Sequence, residues 1–300
     1  MFSERSLSRF EQPENGADSD HSVTSPHRAK IDDLPGYGGH IVRSPGDRAG
    51  KWFEDVVMHG QKMPADSHRV PERCRNCVIR QSGICSALTG EEVTRLSRIA
   101  HHRQYKPGQT ILSRGDKPFL LAAVASGVVK LSKLLLDGRQ QIVGLLFPPD
   151  ILGRAFSRQV PYFAEAATEV ELCCFRLAEF EAMLKGHPEM SQHLLEHSLD
   201  KLDNAHDWMV LLGRKTANER VASLLYLLAT RSKLARLHDA DGGGSFELHL
   251  KREEMADFLG LTYETVIRQI RVLNEKQIIC LNGRREFSVP DITALANAAG

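Results

Sequence analysis

Gly260 separates two short runs of apolar residues within residues 250–273, and this pattern admits essentially one solution: helix, tight turn, helix. Glycine enters the left-handed backbone conformation without a steric penalty, so it stands where a first helix must stop. Thr262 is placed to cap the second helix. Met255, Leu259, Val266, Ile270 and Leu273 supply apolar contacts that lock two short helices at a fixed angle.

The second helix shows Tyr263, Glu264, Ile267, Arg268 and Arg271 on its outer face near its N-terminal end, where major-groove readers contact base edges. Arg268 can donate two bonds to a guanine edge, and Glu264 can accept from cytosine N4 and brace the arginine. The run Ile278-Ile-Cys-Leu-Asn-Gly-Arg-Arg-Glu-Phe-Ser-Val then reads as a hairpin wing whose Arg284 and Arg285 can approach phosphates. An ordinary helical hairpin with solvated charges leaves the coincidence of Gly260, cap, apolar lock and wing unexplained. The expectation is a double-stranded DNA reader with Thr262, Tyr263, Glu264, Ile267, Arg268, Arg271 and Arg284 at its interface.

The formal net charge of the 300 residues is only +1, so any charge that serves DNA is local. Apolar residues make up 42%, enough for two modest domains. No apolar run approaches the roughly 20 residues that span a bilayer, and the first residues lack a secretory apolar stretch. With six cysteines in a chain of this size, a reducing, cytoplasmic setting is expected, with no membrane and no disulfide scaffold. Residues 1–70 read as a disordered extension rich in Ser, Asp, Glu, Arg, Pro and Gly, with Trp52, Phe53, Val56 and Val57 as its one apolar patch.

Between these ends, Thr89 is a candidate cap for a helix from about Gly90. From Arg103 to about Arg176 the pattern is of short strands and turns, among them Lys106-Pro-Gly-Gln, Ser126-Gly and the hairpin signal Asp137-Gly138, as in a small antiparallel barrel or roll. A long helical period follows, marked by Met190, Leu194, Leu195, Leu199, Leu202, Trp208, Met209, Leu211 and Leu212. Leu195, Leu199, Leu202 and Met209 are its candidate dimerisation residues. A second helix, roughly 217–232, carries Val221, Leu224, Leu225 and Leu228 on one face.

Cys74, Cys77 and Cys85 form C-x2-C-x7-C, with Cys173-Cys174 far along the chain. Such a set fits zinc or an iron–sulfur cluster. Zinc ribbons bring two close pairs, whereas adjacent strand residues such as Cys173 and Cys174 splay to opposite faces. That favours three cysteines plus one. The 74–85 segment reads as a loop ordered by its metal, with Arg73, Arg75 and Arg80 available to offset thiolate charge.

Over about residues 74–300 the chain resembles the Crp–Fnr family of transcription regulators. The resemblance rests on Gly260-Leu-Thr-Tyr-Glu-Thr-Val-Ile-Arg, similar to the family's recognition-helix signature, and on Arg214-Lys-Thr-Ala-Asn-Glu-Arg220 before it. The cysteine spacing is similar to the FNR branch, especially its alphaproteobacterial FnrL/FnrN type. This implies an α+β chain: an antiparallel β-roll sensory domain (cupin-like, cyclic-nucleotide-binding-like), a long dimerisation helix and a C-terminal winged helix-turn-helix. The divisions are residues 1–70 (extension), 71–186 (cluster segment and roll), 187–215 (dimerisation helix) and 216–300 (DNA-binding domain). It also implies an oxygen-labile [4Fe–4S] cluster on Cys74, Cys77, Cys85 and Cys173, with Cys174 a small core residue and Cys280 structural.

Two positions depart from the family. Ile267 stands where the FNR branch usually has Ser before the recognition arginine, so the half-site is expected to differ from TTGAT. The phosphate-binding pattern of the Crp branch is missing around Gly153-Arg154-Ala and Tyr162-Phe163-Ala-Glu165-Ala, so no cyclic nucleotide is expected.

The expectation is a homodimeric activator that binds an inverted-repeat operator without oxygen and recruits RNA polymerase. The competing expectation is a regulator of the same type answering to nitric oxide, thiol oxidation or a small effector. An enzyme reading fails: the C-x3-C-x2-C spacing of cluster-dependent radical enzymes is absent, as is any nucleophile–base set.

Overall fold

Val70 is the first residue that the structure, a computed structural model, describes; it covers residues 70–300 except 118–119, 158, 236–244, 248–249 and 284–285. The extension of residues 1–70 and its patch at Trp52–Val57 therefore lie outside the described residues, save Val70 itself.

Two short helices, α1 (Glu72–Arg75) and α2 (Val78–Ser82), and a 3-10 turn over Ile84–Ala87 open the chain. Helix α3 (Gly90–Ile99) starts at Thr89 through a reciprocal cap: the Thr89 N–H donates to Glu92 Oε2 at 2.8 Å, and the Glu92 N–H donates to Thr89 Oγ1 at 3.4 Å.

Eight strands follow: β1 (Ala100–Tyr105), β2 (Thr110–Leu112), β3 (Leu120–Ser126), β4 (Val129–Leu134), β5 (Gln140–Leu146), β6 (Ile151–Leu152), β7 (Phe163–Ala166) and β8 (Val170–Arg176). They pair antiparallel into two four-stranded sheets, β1-β8-β3-β6 and β2-β7-β4-β5. Side chains that alternate inward fill the space between them, including Leu112, Ala122, Val124, Val129, Leu146 and Leu172.

Helices α4 (Leu177–Gly186) and α5 (Pro188–Arg214) lead away from the roll, and Pro188 opens α5 at a position that needs no backbone N–H. Along α5, Met190, Leu194, Trp208, Leu211 and Leu212 pack on this chain's own cores. Leu195, Leu199, Leu202 and Met209 instead remain 59, 51, 50 and 67% exposed. Helix α6 runs Ala217–Ala235, three residues past the expected end near Ser232.

The terminal module comprises β9 (Ser245–Glu247), α7 (Arg252–Leu259), α8 (Tyr263–Glu275), β10 (Cys280–Leu281), β11 (Glu286–Ser288) and α9 (Ile292–Ala299), with strand order β10-β11-β9. Its core includes Val221, Leu225, Met255, Leu259, Val266 and Ile270, and it continues without a break into Val128, Ile142, Leu145 and Phe147 of the roll. This shared core fixes where α8 stands.

Candidate metal centre and nucleic-acid interface

Cys74 lies in α1, Cys77 is the N-cap residue of α2, and Cys85 sits in the 3-10 turn. The segment is not a loop, contrary to the sequence reading. Ile79 and Ile84 are buried, at 1 and 3% exposure, together with Val70 and Leu88. These four pack on Leu121, Ala123 and Phe175, the outward residues of β3 and β8. Few apolar residues suffice because the sheet supplies the rest of the core.

The period of two along β8 separates the remaining pair. Cys173 pairs in register with Ala123 and joins the outer cluster, whereas Cys174 pairs with Ala122 and is buried inside the roll beside Leu172. Burial, then the neighbouring charges of Cys77 and Cys74, push the Cys173 thiol up to about 12. Burial also raises Cys85, with further contributions from Cys173, Cys77 and Cys74. Cys74 is raised by burial and by Cys77. Cys174 is pushed up to about 11 by burial, and the trio contributes nothing to it. Cys74, Cys77, Cys85 and Cys173 thus share the outer apolar cluster, and Cys174 lies on the other side of the sheet.

Arg73 hydrogen-bonds Cys74 and also donates from Nη2 to the Ser97 carbonyl at 2.8 Å. Arg80 lowers both Cys74 and Cys85 electrostatically. Its Nη1 is the one buried side-chain nitrogen or oxygen among the described residues without a hydrogen-bond partner. Arg75 does not serve the thiols: its Nε donates to the Val70 carbonyl at 3.3 Å. Among the described residues, no three His, Cys, Asp or Glu side chains are gathered tightly enough to enclose a single ion as they stand. Tetrahedral zinc needs its sulfurs about 3.8 Å apart. A [4Fe–4S] cluster binds each thiolate to a different iron, so its ligands stand farther apart. A three-plus-one thiol set with an orphaned buried guanidinium N–H beside it fits such an anionic cluster.

The cysteine segment and the helix α3 that follows it each grip the start of α5 at a point that the sequence did not reveal. Ser86 Oγ lies 2.8 Å from His193 Nε2, and Glu92 Oε1 lies 2.9 Å from His187 Nδ1. One and two turns beyond His193, His197 Nε2 and Lys201 Nζ reach Asp150 Oδ1, at 3.6 and 2.7 Å. Asp150 also accepts the Phe147 N–H at 3.0 Å. Burial opposes its ionisation, but His197, Lys201 and the Phe147 N–H outweigh that and lower it to about 2.

In the terminal module Gly260 takes φ +61° as the C-cap of α7, and Arg220 Nη1 donates to the Leu259 carbonyl at 3.2 Å. Thr262 Oγ1 accepts the Thr265 N–H at 3.2 Å and caps α8. Met255, Leu259, Val266, Ile270 and Leu273 are all buried. Thr262, Tyr263, Glu264, Arg268 and Arg271 are exposed, and Ile267 is half-buried. Cys280 is half-buried in β10. Arg284 and Arg285 lie outside the described residues. No described helix is long and apolar enough to cross a membrane.

Residues 219–298 match the Crp-like helix-turn-helix domain model, and residues 102–187 match the cyclic nucleotide-binding domain model. The transcriptional activator protein FnrL of Cereibacter sphaeroides is 44% identical over 236 residues, which span 78% of this chain and 95% of that protein. The chain belongs to the Crp–Fnr family. This Crp–Fnr regulator is also 36% identical to the nitrogen fixation regulation protein FixK of Bradyrhizobium diazoefficiens over 208 residues, 69% of this chain and 86% of the relative. The solved structure of FixK2 from Bradyrhizobium japonicum covers 67% of this chain and 98% of its own, with TM-score 0.60 and 28% identity. A CooA mutant from Carboxydothermus hydrogenoformans, at 19% identity and TM-score 0.56 over 70% of this chain and 92% of its own, shares the fold. The β-roll, long helix and helix-turn-helix are therefore those of a DNA-binding transcription regulator, from a family that acts on DNA as dimers.

Proposed function

We propose that this Crp–Fnr regulator senses oxygen through a labile [4Fe–4S] cluster held by Cys74, Cys77, Cys85 and Cys173, and that without oxygen its dimer binds an inverted-repeat operator. The observation that carries this reading is that those four cysteines pack against one apolar cluster on the outer face of β3 and β8, whereas Cys174 is turned away into the roll. When bound, the cluster supplies an oxygen-reactive centre that keeps the four sulfurs as thiolates.

The chain's own residues do the rest. Arg73 and Arg80 offset negative charge beside the sulfurs. The Ser86–His193 contact joins the cysteine segment to the start of α5, and the Glu92–His187 contact does the same for the adjoining α3. Ordering that segment thereby sets how α5 presents Leu195, Leu199, Leu202 and Met209 to a second copy, since a ligand biases only the state it binds better. Two α8 helices then face successive major grooves, with Arg268 and Glu264 toward base edges and Thr262, Tyr263, Ile267, Arg271 and Arg284 alongside. RNA polymerase is the further partner in this reading, and the setting is cytoplasmic.

Replacing Cys173 and Cys174 singly by Ser tests the ligand set. Anaerobically purified Cys174→Ser retains iron and colour, whereas Cys173→Ser loses both. The reverse result, or one zinc per chain in the parent protein, would overturn the proposal.

A further inference from the structure

Lys130 is a buried lysine on a strand face that would ordinarily be solvated. Its neighbour Val129 points into the roll interior, so Lys130 points outward, yet its side chain is only 8% exposed. Helix α7 of the DNA-binding module covers it. Its ammonium reaches Glu165 Oε1, its cross-strand partner on β7, at 2.6 Å, and Glu254 in the first turn of α7. Burial alone would lower the Lys130 pKa, but the bonds to Glu165 and Glu254 raise it. At the other end of α7, Gln141 Nε2 on β5 donates to the Phe258 carbonyl at 3.2 Å. That carbonyl belongs to the last turn of α7, where the helix itself provides no donor.

We propose that Lys130 and Gln141 are positioning residues for DNA binding: they clamp α7 at both ends against β4 and β5, and so set the direction in which the recognition helix α8 leaves the roll. The Gly260 turn and the buried contacts of Met255 and Leu259 with Val266 and Ile270 make α7 and α8 one rigid piece. Fixing α7 therefore fixes α8. In a dimer, the relative direction of two α8 helices decides whether both half-sites are met at once. A module held only by its backbone link and an apolar contact would lose orientational freedom on binding DNA, and that loss weakens affinity. Lys130 also neutralises a crowd of acids. Asp257, beside Glu254, is raised by burial and by Glu254 and is lowered by Lys130. Without the ammonium, Glu165, Glu254 and Asp257 face one another on the two sides of the contact.

The test uses full-length protein and two duplexes. One carries an inverted repeat selected by the wild-type protein from a random pool; the other is the same duplex with one half-site scrambled. Lys130→Met, which keeps the apolar stem, should weaken binding to the intact repeat about tenfold. Gln141→Ala should weaken it about threefold, and Lys130→Arg should restore most of the affinity. Binding to the scrambled duplex and the dimer mass by sedimentation should stay at wild-type values for all three. Equal loss on both duplexes, no loss on either, or dissociation of the dimer would overturn the proposal. Should Lys130→Met fail to fold, Gln141→Ala decides the matter with the same duplex pair, because it adds no charge imbalance.

Discussion

Ser86 Oγ stands 2.8 Å from His193 Nε2, so the residue that follows Cys85 is hydrogen-bonded to the first turns of the long helix. No backbone connection of comparable length joins the two: they are 107 positions apart. Any reordering of the cysteine segment therefore acts on α5 directly, through a side chain rather than through the roll.

Ser86→Ala should loosen this link while leaving the thiols in place. A partly exposed hydrogen bond contributes about 0.5–1.5 kcal/mol. The anaerobic dimer dissociation constant is expected to rise about two- to tenfold, with iron content unchanged. Sedimentation velocity across a concentration series, with metal analysis on the same samples, checks both parts.

Asp150 gives a pH dependence. Its carboxyl is 3% exposed in residue terms and is lowered from 3.8 to about 2 by His197, Lys201 and the Phe147 N–H acting against burial. A group whose folded pKa is depressed stabilises above its unfolded value, and that stabilisation disappears as pH falls through the folded value. The shift corresponds to about 2 kcal/mol. Asp150→Asn should lower unfolding free energy at pH 7 by at least that order. The gap between wild type and variant should narrow between about pH 4 and pH 2. Urea unfolding at several pH values measures the gap directly.

Arg268 is exposed on α8 one turn after Glu264. Arg268→Ala should cost about 1–3 kcal/mol on a selected operator and little on random DNA. Fluorescence anisotropy against both duplexes checks it; equal loss on both would assign Arg268 to phosphates.

The elements legible in the sequence were those whose physics is local. Gly260 needs only its own φ, Thr262 only a backbone N–H three residues on, and Cys173 and Cys174 part because a strand alternates faces. The structure places Cys173 on the face of the other three cysteines and Cys174 on the opposite one; alternation separates the two but does not decide which faces the trio. What stayed hidden depends on partners far along the chain. Ile79 and Ile84 look too few to order their segment until Leu121, Ala123 and Phe175 supply the opposing surface. Lys130 and Gln141 read as ordinary strand polar residues until α7 covers them. Asp150 sits in a turn whose cations arrive from α5.

Metal analysis and visible absorption of anaerobically purified full-length protein decide whether Cys74, Cys77, Cys85 and Cys173 hold a cluster. Coloured protein with about four irons per chain, bleached on exposure to air, is the expected result. Colourless protein with one zinc per chain, or coloured protein unchanged by air, would contradict it.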